Sequence, residues 1–364
     1  MASITLENLV KHYGEVEAVR GISFQIEDGE FLAILGPSGC GKSSTMRMIA
    51  GLEETSDGGI YYDDKLVNAV RARDRNVAMA FETYALYPTL TVYENIAFPL
   101  RSARWKPEQV DEKVREISHT MELTDLLDRM PGELSGGQAQ RIGLARALVR
   151  EPAVFLLDEP ISHLDTRQRH RMRQFIKHLH LELQYTMIYV THDQEEAMAM
   201  ADRIVVMHEG LIRQIGTPDE VFNDPADDFV AGFVGEPPIN FLDGSLAQSN
   251  GTLSLRFRDH LIPLPESLQS RGDSLPSEIK MGIRPFYINL RLDPDEPYDL
   301  AGEVFVVENL QDFCIVSIDV DDERLQVVAP LSARVQRRER VHLKLDPEFM
   351  RFFDLQTGKA VGLG

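Results

Sequence analysis

The stretch FLAILGPSGCGKSS, residues 31–44, decides the fold. Its opening, Phe31 to Leu35, is an unbroken apolar run, the pattern of a strand buried on both faces. Next come Gly36, Pro37, Ser38, Gly39, Cys40, Gly41, Lys42 and Ser43, at P-loop spacing, and Met46, Ile49 and Ala50 continue as a helix. Strand, glycine-rich loop and helix in that order are the context the motif requires. Glycines let backbone N–H groups wrap phosphates, Lys42 reaches the terminal phosphates, and the hydroxyl of Ser43 suits a hard cation such as Mg²⁺. Cys40 fills a variable position of the loop and needs no redox role.

A second anion cradle lies at LSGGQ, residues 134–138, just ahead of a helix-like run from Ala139 to Arg150. Ser135, Gly136, Gly137 and Gln138 read either as an ordinary capped helix start or as a set of N–H groups open to a phosphate. Val154 to Leu157 forms another buried strand and ends in Asp158 and Glu159. Carboxylates at the C-terminal end of a parallel strand face the crevice where α/β sheets bind ligands. Asp158 suits Mg²⁺, and Glu159 is placed to orient or deprotonate a water. Asp165 follows in ISHLD, ahead of a helix from Thr166 to about Leu183. His192 lies just past the strand Thr186 to Val190, where it can meet a γ-phosphate. Tyr13, in the turn of KHYG, is a half-buried loop aromatic or a flat surface for a nucleobase.

These elements define an α/β domain over residues 1–234, opened by antiparallel strands at Ile4 to Val10 and Val16 to Ile26. A further strand is read at Asn76 to Phe81, and a mostly helical insertion over about 83–150. The aromatics Phe81, Tyr84, Tyr87, Tyr93 and Phe98 near the start of that insertion read as core packing, or as a partner surface if exposed. Pro107 starts a helix with Asp111 and Arg115 as a surface pair. Composition changes at GEPP, Gly235 to Pro238. Residues 235–364 carry short strands such as Leu253 to Phe257, Cys314 to Val320 and Arg340 to Leu345, the spacing of a small antiparallel barrel.

Whole-chain quantities narrow the function. The chain has 364 residues, and no apolar run approaches the roughly 20 residues of a membrane-spanning helix, so a soluble protein is expected. The first residues, MASITLENLV, show no secretory signal pattern. Two distant cysteines, Cys40 and Cys314, fit a reducing compartment and form no metal cluster. A formal charge of -20 argues against nucleic acid as the main ligand.

Taken together, the motifs resemble the ATP-binding cassette family. The match runs from Tyr13 as the adenine-stacking aromatic, through Gly36 to Ser43 and the LSGGQ signature, to Asp158 and Glu159, Asp165 in the D-loop, and His192 as the switch histidine. More narrowly, ALYPTLTVYENIAFPL, QRIGLARAL, VTHDQEEAMAMADRIVVM and DPADDFVAGFVGEPPINFL resemble the ATPase subunit of maltose-type, carbohydrate-uptake importers over essentially the full length. The resemblance implies a P-loop ATPase domain followed by an all-β, OB-like regulatory domain of the kind called TOBE. It also implies ATP and Mg²⁺ as ligands, with two subunits closing head to tail so that each ATP lies between one P-loop and the other subunit's signature. Two transmembrane permease subunits, a solute-binding protein outside the membrane and a peripheral place on the cytoplasmic face of the inner membrane complete the expectation.

Three departures from the family pattern stand out. Glu82 occupies the position of a usual glutamine that helps hold Mg²⁺, His163 alters the D-loop, and Ser44, counted among the ATP contacts, replaces a threonine. A carboxylate only accepts hydrogen bonds where an amide also donates. Glu82 and His163 point to pairing with a second, non-identical ATPase subunit; a homodimer is the alternative. A non-transport cassette protein and a purely regulatory ATP switch are the competing classes. The transported solute is not legible.

Overall fold

The computed structural model describes residues 2–80, 86–162, 164–249, 251–269, 275–293 and 295–361. Glu82 and His163 lie outside the described residues. The chain divides into two compact units, Met1–Pro218 and Asp219–Gly364.

In the first unit, β1 (Ile4–Tyr13) and β2 (Val16–Ile26) form the expected antiparallel opening, and Tyr13 is the last residue of β1 rather than part of the turn. Then follow β3 (Phe31–Leu35), α1 (Lys42–Ala50), β4 (Asp57–Tyr62), β5 (Lys65–Leu66) and β6 (Val77–Ala80). The insertion contributes α2 (Val92–Ser102), α3 (Pro107–Thr120) and α4 (Gly136–Leu148). The chain returns through β7 (Val154–Asp158), α5 (Thr166–Leu183), β8 (Thr186–Thr191), α6 (Gln194–Met200), β9 (Arg203–His208) and β10 (Leu211–Gly216).

Two sheets result. One is antiparallel, in the order β2-β1-β4-β5; the other runs β10-β9-β3-β8-β7-β6, parallel throughout except for β10. Every residue of β3 and β8 is buried, as their continuous apolar character demands. The C-terminal ends of β3, β7 and β8 therefore share one edge of a rigid sheet, and the loops that leave them carry the P-loop, Glu159 and His192.

The insertion is held by local chemistry. Thr91 and Glu94 make a reciprocal capping box at the start of α2, with bonds of 3.2 and 3.0 Å. Buried Asn95 donates to the carbonyls of Tyr87, Leu90 and Thr91 and accepts from the Tyr87 N–H, which fixes the preceding loop. The Asp111–Arg115 pair forms at 2.9 Å on α3.

The second unit begins earlier than the change in composition at Gly235. Helices α7 (Pro218–Asn223) and α8 (Asp228–Phe233) come first. Buried Arg284 donates to the carbonyls of Phe222 and Val234, each at 2.6 Å, and burial pushes its guanidinium pKa down to about 10. Lys280 pairs with Asp228 at 2.5 Å, and the Ala360 N–H donates to Ala226 at 3.0 Å. Composition changes after these helices, but their hydrogen-bond partners lie beyond it.

The remainder is all-β. Strands β11 (Asn240–Ser249), β12 (Thr252–Phe257), β13 (His260–Pro263) and β14 (Glu278–Ile283) pair with β20 (Arg351–Asp354) and β21 (Ala360–Val361) in the order β13-β12-β11-β14-β20-β21. The strands between them, β15 (Ile288–Arg291), β16 (Leu300–Asn309), β17 (Phe313–Val320), β18 (Glu323–Pro330) and β19 (Arg340–Leu345), form a second antiparallel sheet in the order β15-β19-β16-β17-β18. One apolar core, including Leu242, Met281, Val316, Leu343 and Phe352, draws on both sheets. The strand spacing predicts an antiparallel all-β domain here, and the family resemblance an OB-like one; the two sheets agree with both.

Candidate active site

The P-loop takes its shape from close packing. A Cβ on Gly36 would stand 2.2 Å from the Met207 carbonyl oxygen, and one on Gly41, at φ 103°, would stand 2.5 Å from that of Ala18. Glycine is therefore demanded within the chain at both positions. Lys42 is buried, and its Nζ donates to the carbonyls of Gly36 (2.8 Å) and Pro37 (3.0 Å). Cys40 is buried too, and burial pushes its thiol pKa up, which suits a packing role better than a reactive one. Ser38 and Gly39 are exposed at the tip of the loop.

Ser43 Oγ lies 3.3 Å from Asp158 Oδ1, so the loop hydroxyl and the strand-end carboxylate meet in space. These two oxygens fit a Mg²⁺ site, since that ion accepts one or two protein oxygens and takes its other ligands from phosphate and water. No group of three or more His, Cys, Asp or Glu able to hold a metal occurs among the described residues. Tyr13 is 42% exposed, and its hydroxyl is 3.5 Å from Ser44 Oγ. Lys11 Nζ sits over the Tyr13 ring, 4.8 Å from its centre.

Glu159 holds a left-handed backbone conformation, φ 46°, and its N–H donates to the Val190 carbonyl at 3.0 Å. Outside glycine and asparagine such a conformation is uncommon and marks a site worth inspection. His192 Nδ1 is 3.0 Å from Glu159 Oε2, so β7 and β8 bring these two residues together. Beside them lies a cavity of about 90 Å³ that Ser162, Arg169 and Asp193 also line.

Sequence reasoning gave no role to Thr191, Glu196 or Arg169. Glu196 is buried on α6 and accepts from Tyr189 (2.9 Å) and Thr191 (2.7 Å). Burial, above all, raises its carboxyl pKa. The available signal was helical period: Glu196 falls on the same buried face as Ala197 and Met200, while Glu195 faces out. Asp165 caps α5, accepting from the Gln168 N–H at 2.8 Å, and its side chain is exposed.

At the signature, the cap and the cradle coexist. Ser135 Oγ accepts from the Gln138 N–H at 3.4 Å, and Gln138 Oε1 accepts from the Ser135 N–H at 2.9 Å, a capping box that starts α4. Among the described residues none of these bonds joins the signature to the P-loop. Ser135, Gly137 and Gln138 instead border an open groove of about 670 Å³ shared with Arg141, Gln168 and Phe175. A Cβ on Gly137 would meet nothing nearer than Gln168 Oε1 at 3.7 Å. Among the described residues nothing packs closely enough there to demand glycine.

A P-loop at the end of β3, a carboxylate pair at the end of β7 and a histidine at the end of β8 define a P-loop nucleoside triphosphatase. Comparison with known proteins narrows the class. Residues 19–162 match the family described as ABC transporter. The trehalose/maltose import ATP-binding protein MalK of Thermococcus litoralis is 45% identical over 99% of this chain and all of that protein. The sn-glycerol-3-phosphate import ATP-binding protein UgpC of Cupriavidus pinatubonensis is 41% identical over the same shares. Among solved structures, the ATP-binding cassette MJ0796, a dimer in a post-hydrolysis state bound to ADP and phosphate, aligns with a TM-score of 0.52 at 30% identity, covering 59% of this chain and 98% of that one. The chain belongs to the ATP-binding cassette transporter ATPases, and it hydrolyses ATP.

Proposed function

We propose that this chain is the ATP-hydrolysing subunit of an importer for a carbohydrate, a glycerol derivative or a related solute. It works in a head-to-tail pair, with each ATP held between the P-loop of one subunit and the LSGGQ of the other. Gly137 carries this reading. A glycine in a helix costs about 0.5–1 kcal/mol relative to alanine, and here no packing contact among the described residues accounts for it. Close approach of a group from outside does.

In this reading the exposed Tyr13 ring stacks on adenine. Backbone N–H groups from Gly36 to Ser44 hold the phosphates, and Lys42 turns from the Gly36 and Pro37 carbonyls to the terminal ones. Ser43 and Asp158 would hold Mg²⁺, which supplies charge neutralisation on the phosphates when bound. Glu159 holds the attacking water, and His192 leaves Glu159 to contact the γ-phosphate; Asp165 lines the same space. ATP contacts both subunits only when they are closed, so it shifts the population toward closure, and loss of the γ-phosphate releases it.

The Tyr87 and Phe98 rings pack with centroids 4.6 Å apart and planes tilted by 45°, and both are exposed, as is Trp105, which supports the helical insertion as the face that receives two permease subunits. No helix among the described residues is long and apolar enough to cross a membrane, in keeping with a peripheral place on the cytoplasmic face of the inner membrane. A solute-binding protein outside would deliver the cargo. The relatives' names, trehalose/maltose import and sn-glycerol-3-phosphate import, support the solute class. ATP turnover by the chain assembled with its permeases in vesicles should rise when solute and solute-binding protein are added. Turnover indifferent to both would overturn the importer reading in favour of a regulatory switch.

The identity of the second subunit rests on Glu82 and His163, which favour a non-identical partner. Counting ATPase species in the purified complex decides: one species at two copies means a homodimer. Glu82→Gln should change solute-stimulated turnover, and an unchanged rate would remove the argument from that position.

A further inference from the structure

Arg169 stands in the first turn of α5, four residues past Asp165, and its guanidinium bridges two loops. Nη2 donates to the Leu164 carbonyl at 3.4 Å, and Nη1 pairs with Asp193 Oδ2 at 3.5 Å. Asp193 is itself clamped. Its N–H donates to Thr191 Oγ1 at 2.9 Å, and its Oδ1 accepts from the N–H groups of Glu195 and Glu196 at 2.9 and 3.3 Å. Thr191 Oγ1 donates in turn to Glu196 at 2.7 Å. His192 is thus an exposed side chain between two fixed neighbours, turned to Glu159 at 3.0 Å.

Stability does not explain this arginine. A partly exposed pair at 3.5 Å contributes about 0–1 kcal/mol. Meanwhile Arg169 Nε is buried with no hydrogen-bond partner among the described residues, beside the cavity it shares with Glu159 and His192. An unsatisfied buried donor carries a penalty of the same order or larger.

We propose that Arg169 is a positioning residue for ATP hydrolysis. It ties the loop at Leu164 and Asp165 to Asp193, and through Asp193 it sets where His192 stands relative to Glu159. A displacement of the D-loop then reaches His192 without passing through nucleotide. The link runs from the Leu164 carbonyl through the Arg169 guanidinium to the Asp193 carboxylate, all within one chain.

The test uses the full chain, with nitrogen-15 in the histidine rings and the His192 signal assigned from His192→Gln. Arg169→Met should move the His192 ring signals in nucleotide-free protein. It should also lower kcat about ten- to a hundredfold, the effect of a small misplacement at a reacting centre, with KM within about threefold. Asp193→Asn should shift His192 the same way, and the double variant should add little. Arg169→Lys, which keeps the charge and can hold one of the two contacts, should be intermediate; it carries the same readouts should Arg169→Met fail to fold. Arg173→Met, one turn further along α5, is the control, since it breaks a 2.9 Å pair to Glu195 of α6. It should leave His192 in place. Unmoved His192 signals in the Arg169 variants, an equal shift in Arg173→Met, or a loss confined to KM would overturn the proposal.

Discussion

Gly36 opens the P-loop and Gly137 lies in the first turn of α4, and they are glycines for different reasons. Gly36→Ala drives a methyl into the Met207 carbonyl, 2.2 Å away, and should cost about 1–3 kcal/mol in urea unfolding, as overpacking does. Gly137→Asp brings its Cβ no closer than an ordinary 3.7 Å contact with Gln168 Oε1 and places a carboxylate in the first turn of α4, where the helix dipole favours it. It should leave stability unchanged or raised while abolishing turnover in the assembled complex. Glu196 gives a pH prediction whose sign follows from its raised pKa. The folded state binds its proton more tightly than the unfolded state does, so its contribution is fully present below the ordinary value of 4.5 and is lost as pH rises through the folded value. Glu196→Gln keeps an acceptor for Tyr189 and Thr191 and removes the buried charge. Its thermal midpoint should exceed that of the unaltered chain at pH 7.5, with the gap closing toward pH 4.5; a gap independent of pH would contradict this.

Among the elements, α1 shows how a site is held from its far end. Arg75 is buried and donates to the Met48 and Ile49 carbonyls at 2.7 and 2.8 Å, closing the C-terminus of the helix whose first residue is Lys42. Arg75→Met should cost about 1–3 kcal/mol, because two buried carbonyls lose a charged donor, and should weaken nucleotide binding in parallel. Equilibrium unfolding and a fluorescent ATP analogue measure both. Helices α7 and α8 make a similar case. A chain beginning at residue 219 keeps the carbonyls of Phe222 and Val234 for Arg284, whereas one beginning at 235 leaves that buried guanidinium without either. The shorter piece should unfold at clearly lower urea, and equal midpoints would show that the two helices are dispensable.

Across the whole molecule, legibility followed the range of the interactions. The strand, loop and helix around Lys42 were readable because periodicity and glycine spacing are local, and the alternation of β1 and β2 and the apolar runs of β7 and β8 were readable for the same reason. The capping role of Ser135 was readable, since a cap reaches only three residues. Arg75 and Arg284 were not, because each donates to carbonyls tens of residues away that no side-chain pattern marks, and neither was Arg169, which joins the Leu164 carbonyl to an Asp193 carboxylate that only the fold brings near. Composition changes at Gly235, whereas the compact second unit runs from Asp219, because the partners of its first two helices lie later in the chain. The central claim, that the signature serves a P-loop other than its own, is tested most directly by ATP-analogue affinity of the isolated chain. Lys42→Ala should weaken binding at least about tenfold, the loss of roughly 1.4 kcal/mol of phosphate contact. Gly137→Asp should bind like the unaltered chain while the complex built from it fails to turn over ATP. Equal weakening by both variants would place the signature on the chain's own nucleotide and contradict the account.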